Sequence, residues 1–280
     1  MTTEISSPPA TMTRRQTLPP ELTTTEHIQV TATDSVVRVL LNRPQRLNAL
    51  TVQMFAELQA TIDFVRRTPT IRVVVISGAG RGFCAGMDLS GELLSGDGIQ
   101  AELVSKDALR QVLLDLESLP VAKVAQIAGP CAGGGLALAL MCDLRYATAT
   151  TRFTVPELDL GYPYSMNAIP QLVRAVGPTL AADMVYTCRQ VPAHEAKSAG
   201  MITAVLETEV ELTELVEGVV AQLAQRPRLL IWGTAKALRQ SEQALLPTGG
   251  TDLPLMMLAS FDDECQQANA QYQKRFRRDR

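Results

Sequence analysis

Two stretches of the sequence share one layout, in which a short apolar run leads into a glycine-rich loop. The first run covers residues 71–76 and precedes the loop 82–89; the second covers residues 121–127 and precedes the loop 129–135. The first run is β-branched throughout except for Arg72, which is typical of a strand that is buried on both faces, as in a parallel sheet. Glycine lets a ligand approach the backbone closely. The sequence therefore predicts an α/β protein whose ligand-binding loops follow its strands.

The rest of the pattern alternates strands and helices first and then becomes mostly helical. A hairpin is predicted over residues 28–32 and 36–41, and short strands over 144–148, 152–155 and 201–205. The helical candidates are residues 50–65, 101–119, 133–141, 168–176, 178–187, 192–199, 209–225, 229–241 and 252–276. We therefore divide the chain into a disordered tail at 1–27, an α/β core at 28–205 and a helical C-terminal region at 206–280.

The composition argues against several classes of protein. The 280 residues include five cysteines, none spaced as Cys-x-x-Cys, and two histidines, so neither a disulfide framework nor a metal site is expected. The net charge of −3 does not favour nucleic-acid binding, and apolar runs of about ten residues are too short for a membrane span of ~20. The tail is rich in Ser, Thr and Pro, and no hydrophobic segment follows Arg14-Arg15. We therefore expect a cytoplasmic protein.

The two glycine-rich loops suggest a shared chemical role. The glycines at positions 133–135 of the second loop open a helix, where the first N–H groups have no intrahelical partner. One N–H from each loop, converging on a carbonyl oxygen, would form an oxyanion hole that stabilises an enolate. Two alternatives remain open at this point: a glycine-rich turn without function, and a phosphate cradle. However, the second loop lacks the P-loop pattern, and no Gly-x-Gly-x-x-Gly opens the first βα unit.

Three separated motifs occur in a characteristic order. They are Leu41-Asn42-Arg43-Pro44 with Asn48-Ala49-Leu50, the loop Phe83-Cys84-Ala85-Gly86-Met87-Asp88-Leu89, and the segment from Gly129 that ends Met141-Cys142-Asp143-Leu144-Arg145. Through these motifs the chain resembles the crotonase superfamily, also called enoyl-CoA hydratase/isomerase, from about residue 28 to residue 276. The resemblance implies a crotonase-like spiral of repeated ββα units with a helical C-terminal trimerisation region. It also implies an acyl-CoA substrate and a homotrimer or a dimer of trimers (a hexamer).

The resemblance assigns roles to residues of these motifs. By position, the backbone N–H groups of Met87 and Gly134 would bind the thioester oxygen. Coenzyme A, which is part of the substrate rather than a separate cofactor, would place its adenine near Cys84 and Ala85. Three basic residues would lie near its nucleotide or phosphates: Arg43, Arg46 and Lys236. For each of them the alternative interpretation is a solvated surface charge.

The chain departs from the family pattern at one acid/base position. Hydratases of the family typically use two glutamates; the first position here holds Ala137, whereas the second, Glu157 after Pro156, is retained. A single base can move a proton between two carbons of an enoyl thioester while the oxyanion hole holds the dienolate. If Glu157 is buried, its pKa rises towards working pH, which suits a general base. We therefore expect double-bond isomerisation to be favoured over efficient hydration, although Glu157 has the alternative role of capping a turn.

The residues around this glutamate carry further predictions. Tyr162 and Tyr164 replace the glycine-rich sequence that is usual after the Pro-Glu pair, and with Ala137 they are predicted to line the acyl pocket. Asp88 is predicted to fix the first loop by hydrogen bonds, and Asp159 shares the face of the glutamate only if the segment is extended. The missing glutamate leaves two other functions open: an acyl-CoA-binding protein without catalysis, and a decarboxylase or retro-aldol enzyme of the same family.

Overall fold

The computed structural model describes residues 16–89, 99–245 and 258–278. The strands are β1 Ile28–Ala32, β2 Val36–Leu41, β3 Val73–Gly78, β4 Ala122–Ile127, β5 Pro130–Ala132, β6 Leu144–Thr148, β7 Arg152–Thr154, β8 Val191–Pro192 and β9 Ala204–Leu206. The helices are α1 Pro20–Thr23, α2 Val52–Arg67, α3 Ile99–Ser118, α4 Gly134–Leu140, α5 Ala168–Thr187, α6 Ala193–Ser198, α7 Glu209–Gln225, α8 Arg228–Leu245 and α9 Asp263–Arg278. This alternation of strands and helices confirms the predicted α/β class.

The central sheet has six strands in the order β1-β2-β3-β4-β6-β9, and all neighbouring pairs except the β1–β2 hairpin are parallel. Alternate residues of β3 enter two different apolar clusters. Val74 and Ile76 join the cluster that contains α2 and α3, whereas Val73 and Val75 face α7. The continuous apolar run of β3 therefore reflects burial on both faces.

The parallel pairing of β3 with β4 decides where the glycine-rich loops lie. Ile76 of β3 is in register with Ala125 of β4, so the two strands end at the same edge of the sheet and their loops are neighbours. A second, three-stranded sheet in the order β5-β7-β8 continues from the second loop. Its short strands β5 and β8 were not predicted, because two or three residues are too few to show a period.

The segment predicted to be a disordered tail is partly ordered, and the boundary at residue 27 is corrected. Leu22 of α1 is 1% exposed and belongs to the main core. The N–H of Gln16 donates to the Ala32 carbonyl. The buried Glu57 carboxylate of α2 accepts the consecutive backbone N–H groups of Glu26, His27 and Ile28. The side chain of Leu22 and the distant carboxylate of Glu57 thus hold this segment, and neither is part of a pattern that the sequence shows. Residues 1–15 lie outside the described part of the chain.

The C-terminal helices attach to the core in different ways. Helix α7 begins with a capping box between Thr208 and Glu211 and packs Leu212, Val216 and Val220 against the sheet. It therefore belongs to the core, although the prediction placed it in a separate helical region. Helix α8 is held by ion pairs to Glu117 and Arg174. The helix predicted over residues 252–276 corresponds to α9, and residues 246–257 lie outside the described ranges.

Candidate active site

The first loop is held by a buried asparagine. Asn48 is fully buried; its Oδ1 accepts the Arg43 N–H at 2.9 Å, and its Nδ2 donates to the carbonyls of Ala79 and Gly82. Its φ of 55° lies in the left-handed region, which asparagine tolerates better than most residues. The Asn48-Ala49-Leu50 motif therefore fixes the loop after β2 against the loop after β3.

Arg43 and Asp88 join the same two segments. The Arg43 guanidinium donates to the Ala49 carbonyl at 2.6 Å and to Asp88 Oδ2 at 2.8 Å, and both charged side chains are about 85% buried. Asp88 thus forms the loop-fixing contact expected of it. Arg43 is engaged in the same contact, whereas Arg46 is exposed in the 3₁₀ turn Pro44–Arg46. Of these two arginines, the exposed Arg46 is the better placed to reach a ligand.

The hydrogen bonds around Met87 orient its peptide. The Leu50 N–H donates to the Gly86 carbonyl at 2.7 Å, and the Asp88 N–H donates to the Leu50 carbonyl at 2.8 Å. Leu50 and Met87 form a parallel bridge. In parallel pairing, the residue between the two bonded neighbours turns its own N–H to the opposite side. The N–H of Met87 therefore points away from Leu50.

The two glycine-rich loops are joined by backbone hydrogen bonds. The Cys84 N–H donates to the Pro130 carbonyl, and the Ala132 N–H donates to the Cys84 carbonyl at 2.9 Å. The Cys84 side chain is fully buried, and burial raises the pKa of its thiol to about 12. Cys84 is therefore occupied by structural contacts through its backbone and side chain, whereas the neighbouring Ala85 remains partly exposed.

The second loop passes directly over a carboxylate. Gly133 adopts φ 49° and ψ −121°, and its N–H donates to the Thr154 carbonyl at 3.0 Å. A Cβ added at Gly133 would lie 2.5 Å from Oε1 of Glu157, so glycine is required by both the backbone angle and the space. A Cβ added at Gly86 would lie 3.6 Å from the Gly134 nitrogen. The peptides of Met87 and Gly134 and the Glu157 carboxylate are thus brought into one small region.

Glu157 lies at the start of a turn and keeps some solvent exposure as a residue. Its carbonyl accepts the N–H groups of Leu160 and Tyr162. Its Oε2 atom is buried and has no hydrogen-bond partner among the described residues. Desolvation by burial raises the pKa of this carboxyl from 4.5 to about 8, against a smaller lowering effect from a backbone hydrogen bond. A group of this kind can both take up and release a proton near neutral pH.

The structure separates the residues that were predicted to line the acyl pocket. Ala137 is fully buried in α4, and Tyr164 is 2% exposed with its hydroxyl 3.4 Å from the Gly133 carbonyl. Tyr162 points instead towards α9, where its hydroxyl accepts from Asn269 Nδ2 at 2.9 Å. Because the segment turns after Glu157, Asp159 is exposed and does not share the buried environment of the glutamate.

Helix α9 forms a contact that sequence reasoning missed. A Cβ at Gly161, whose φ is 76°, would collide with the Cys265 carbonyl at the start of α9. Together with the Tyr162–Asn269 hydrogen bond, this close approach places the C-terminal helix over the turn that follows Glu157. The only sequence signal is Gly161, a single glycine among several, so the contact was not predictable.

Lys236 is placed apart from these residues. Its side chain is exposed on α8, with the ammonium 4.1 Å from the centre of the Trp232 ring. The ion pairs of α8 lead to Glu117 and Arg174. Within the described ranges, no hydrogen bond or ion pair joins Lys236 to either glycine-rich loop.

Residues 16–89, 99–245 and 258–278, which the structure describes, contain no group of three or more His, Cys, Asp or Glu side chains that is arranged to hold a metal ion. None of the described helices combines the length and the apolar character that crossing a membrane requires.

Known proteins are similar to this chain in both sequence and fold. The model of the enoyl-CoA hydratase/isomerase family matches residues 31–275. The 2,3-dehydroadipyl-CoA hydratase of Escherichia coli (strain K12) is 31% identical over 242 residues, covering 86% of this chain and 93% of the relative. The peroxisomal Delta(3,5)-Delta(2,4)-dienoyl-CoA isomerase of Arabidopsis thaliana is 28% identical over 236 residues, covering 81% and 85%.

A solved structure extends the comparison to a bound thioester. A chain from Thermobifida fusca YX, in complex with acetoacetyl-CoA, matches with a TM-score of 0.73 and 28% identity over 86% of this chain and 95% of its own. The fold and the loops are those of an acyl-CoA-processing enzyme of the hydratase/isomerase type. The chain belongs to the enoyl-CoA hydratase/isomerase family, the crotonase superfamily, as its motifs predicted.

Proposed function

We propose that the chain stabilises a thioester enolate through the backbone N–H groups of Met87 and Gly134. The support is geometric: the loops that carry them are hydrogen-bonded together, and the Met87 N–H turns away from its bridge partner. Gly134 is the first residue of α4, where N–H groups have no intrahelical acceptor and the helix dipole favours negative charge. The hydrogen bonds from these two N–H groups strengthen as negative charge develops on the thioester oxygen, and each contributes about 3–4 kcal/mol to transition-state stabilisation.

Glu157 is the acid/base group in this proposal. Its Oε1 lies against Gly133, next to the proposed oxygen site, and its Oε2 has no partner among the described residues. Because burial brings its pKa to about 8, the carboxylate can remove a proton from the acyl chain and return it to another carbon. The enolate exists between these two steps and is held by the backbone donors.

The position of Ala137 favours isomerisation over hydration. Hydration requires activation and orientation of a water molecule as well as protonation of a carbon, and a second carboxylate assists these steps. Ala137 provides no such group and is fully buried. The isomerisation of a double bond needs only one group that moves one proton. The dienoyl-CoA isomerase of Arabidopsis thaliana among the relatives is compatible with this chemistry.

Coenzyme A is proposed to be part of the thioester substrate, and the proposed reaction uses no separate cofactor. Ala85 and Arg46 keep exposure beside the first loop and are the proposed contacts for the nucleotide. Arg43, Cys84 and Lys236 are weaker candidates, because the first two are engaged in structural contacts and the third lies over Trp232. A homotrimer or a dimer of trimers remains the proposed assembly.

The observation that carries the proposal is the buried, unpartnered Glu157 oxygen beside the two loops. The test incubates the purified chain with three substrate classes: a trans-2-enoyl-CoA, a trans-3-enoyl-CoA and a β-keto acyl-CoA. We expect the trans-3-enoyl-CoA to give a product of unchanged mass and altered retention time. Carbon–carbon cleavage of the β-keto thioester by water, a retro-Claisen reaction, would instead support another enolate reaction than isomerisation. Binding of all three without any product would support a non-catalytic acyl-CoA-binding protein.

A further inference from the structure

The Gly133 carbonyl and the Gly134 N–H belong to the same peptide unit. This carbonyl accepts the Ala137 N–H at 2.9 Å within α4. It also lies 3.4 Å from the Tyr164 hydroxyl, which donates towards it. A tyrosine therefore contacts one end of the amide whose other end is the proposed donor to the thioester oxygen. Tyr164 stands in the segment where the chain departs from the glycine-rich family sequence.

We propose that Tyr164 is a positioning residue that orients and polarises the Gly133–Gly134 peptide for enolate stabilisation. This proposal rests on the proposed function, because it assigns the Gly134 N–H to the thioester oxygen. Tyr164 does not replace the missing glutamate and transfers no proton to the substrate. Its effect is transmitted through one amide group.

The physical basis is the cooperativity of hydrogen bonds in an amide. A donor at the carbonyl oxygen draws electron density through the peptide and makes the N–H at the other end a stronger donor. As negative charge grows on the thioester oxygen, the Gly133 carbonyl becomes a better acceptor in turn. We therefore expect the 3.4 Å contact between the Tyr164 hydroxyl and the Gly133 carbonyl to shorten in the transition state, as catalytic hydrogen bonds commonly do.

The surroundings keep the Tyr164 hydroxyl protonated. The side chain is 2% exposed, and burial together with the nearby Glu157 raises the pKa of the phenol well above its usual range. The hydroxyl thus remains an O–H donor even when Glu157 is ionised. Its aromatic ring also packs in the main core, so a test must separate the effect of the hydroxyl from the effect of packing.

The direct test measures how strongly the bound thioester carbonyl is polarised. 2,4-Hexadienoyl-CoA is a chromophoric ligand whose absorbance shifts to longer wavelength when its carbonyl is polarised. The Glu157→Gln variant, which lacks the acid/base group, is titrated with this ligand with and without Tyr164→Phe. We expect similar dissociation constants but a smaller red shift when the Tyr164 hydroxyl is absent. In the wild-type background, Tyr164→Phe should lower kcat between about twofold and about tenfold, with KM little changed.

Two further variants separate the hydroxyl from packing. Tyr146→Phe removes another buried phenol, in the cluster of β6 and α7, and should change neither the red shift nor kcat. Tyr164→Met fills the space without a hydrogen-bond donor and should lower the red shift and kcat as Tyr164→Phe does. It replaces the phenylalanine variant in the test if that variant does not fold. If the red shift and kcat are the same whichever residue occupies position 164, the proposal for Tyr164 is overturned, while the proposed oxyanion site is not affected. The absence of any red shift and of turnover in the unmodified chain would instead refute the proposed oxyanion site.

Discussion

Replacing Glu157 by Gln removes the proposed acid/base group while nearly keeping the shape of the side chain. Burial raises the pKa of Glu157 from 4.5 to about 8, and one pKa unit corresponds to about 1.4 kcal/mol. Ionisation of this carboxyl therefore destabilises the folded chain by at most about 5 kcal/mol. Because the folded-state pKa is the higher one, this destabilisation is absent below pH 4.5, grows as pH rises, and is complete above about pH 8.

The variant should lose this pH dependence. We expect the difference in free energy of unfolding between Glu157→Gln and the unmodified chain to move in favour of the variant, by up to about 4 kcal/mol, between about pH 5 and about pH 9. The change with pH is the quantity to use, because a buried glutamine amide without partners adds a constant cost of about 1–3 kcal/mol. Denaturant titrations at fixed protein concentration measure it. Glu214→Gln, on an exposed position of α7, is the matched control and should follow the unmodified chain.

The same substitution should reduce turnover strongly. Loss of a positioned acid/base group lowers kcat by about 10²–10⁴-fold, whereas binding of the thioester should change little. In the unmodified chain, kcat/KM for a trans-3-enoyl-CoA should rise with pH through an apparent pKa near 8, as the base loses its proton. Parallel stability curves for the two chains would refute the burial of this carboxylate. Undiminished turnover by Glu157→Gln would refute its catalytic role.

Three further predictions concern other parts of the chain. Ala137→Glu should raise the ratio of hydration to isomerisation at least about tenfold, measured by product chromatography; an equal change in Ala137→Gln would contradict this explanation. Glu57→Gln should lower the free energy of unfolding by about 2–3 kcal/mol, because its carboxylate accepts three consecutive N–H groups, and an unchanged denaturation midpoint would show that the contact is unimportant. Glu117→Gln should destabilise the chain by about 3–5 kcal/mol, since Arg174 and Arg239 lose a buried partner; a cost below about 1 kcal/mol would show that water replaces the carboxylate.

The main strands and the glycine-rich loops were predictable because each forms a local pattern. The β-branched run at β3 and the helical spacing of apolar residues in α2 and α7 are patterns within a few residues, and these elements lie close to the predicted bounds. The ordering of residues 16–27 was not predictable, because it depends on Leu22 and on Glu57, which lies about thirty residues further along the chain. Local patterns thus define elements, whereas single long-range contacts decide which terminal segments are ordered.

The candidate site divides in the same way. The family motifs predicted Met87, Gly134 and Glu157 as site residues. The fold brings the two loops together through the parallel pair β3–β4 and brings Glu157 to them through the parallel pair β5–β7. The motifs did not distinguish the two tyrosines, since the direction of each side chain depends on the turn after Glu157 and on the distant helix α9. Nor did they show that Arg43 and Cys84 are engaged in structural contacts, because these contacts join separate loops.

The most direct test of the single-carboxylate mechanism follows the fate of trans-3-hexenoyl-CoA with the purified chain. The two products are distinguishable, since the conjugated trans-2-enoyl thioester has the mass of the substrate and the 3-hydroxyacyl thioester has gained one water. We predict that the conjugated thioester forms first and that its initial rate of formation exceeds that of the hydrated product by at least about tenfold. If trans-2-hexenoyl-CoA is hydrated faster than trans-3-hexenoyl-CoA is isomerised, the mechanism is contradicted.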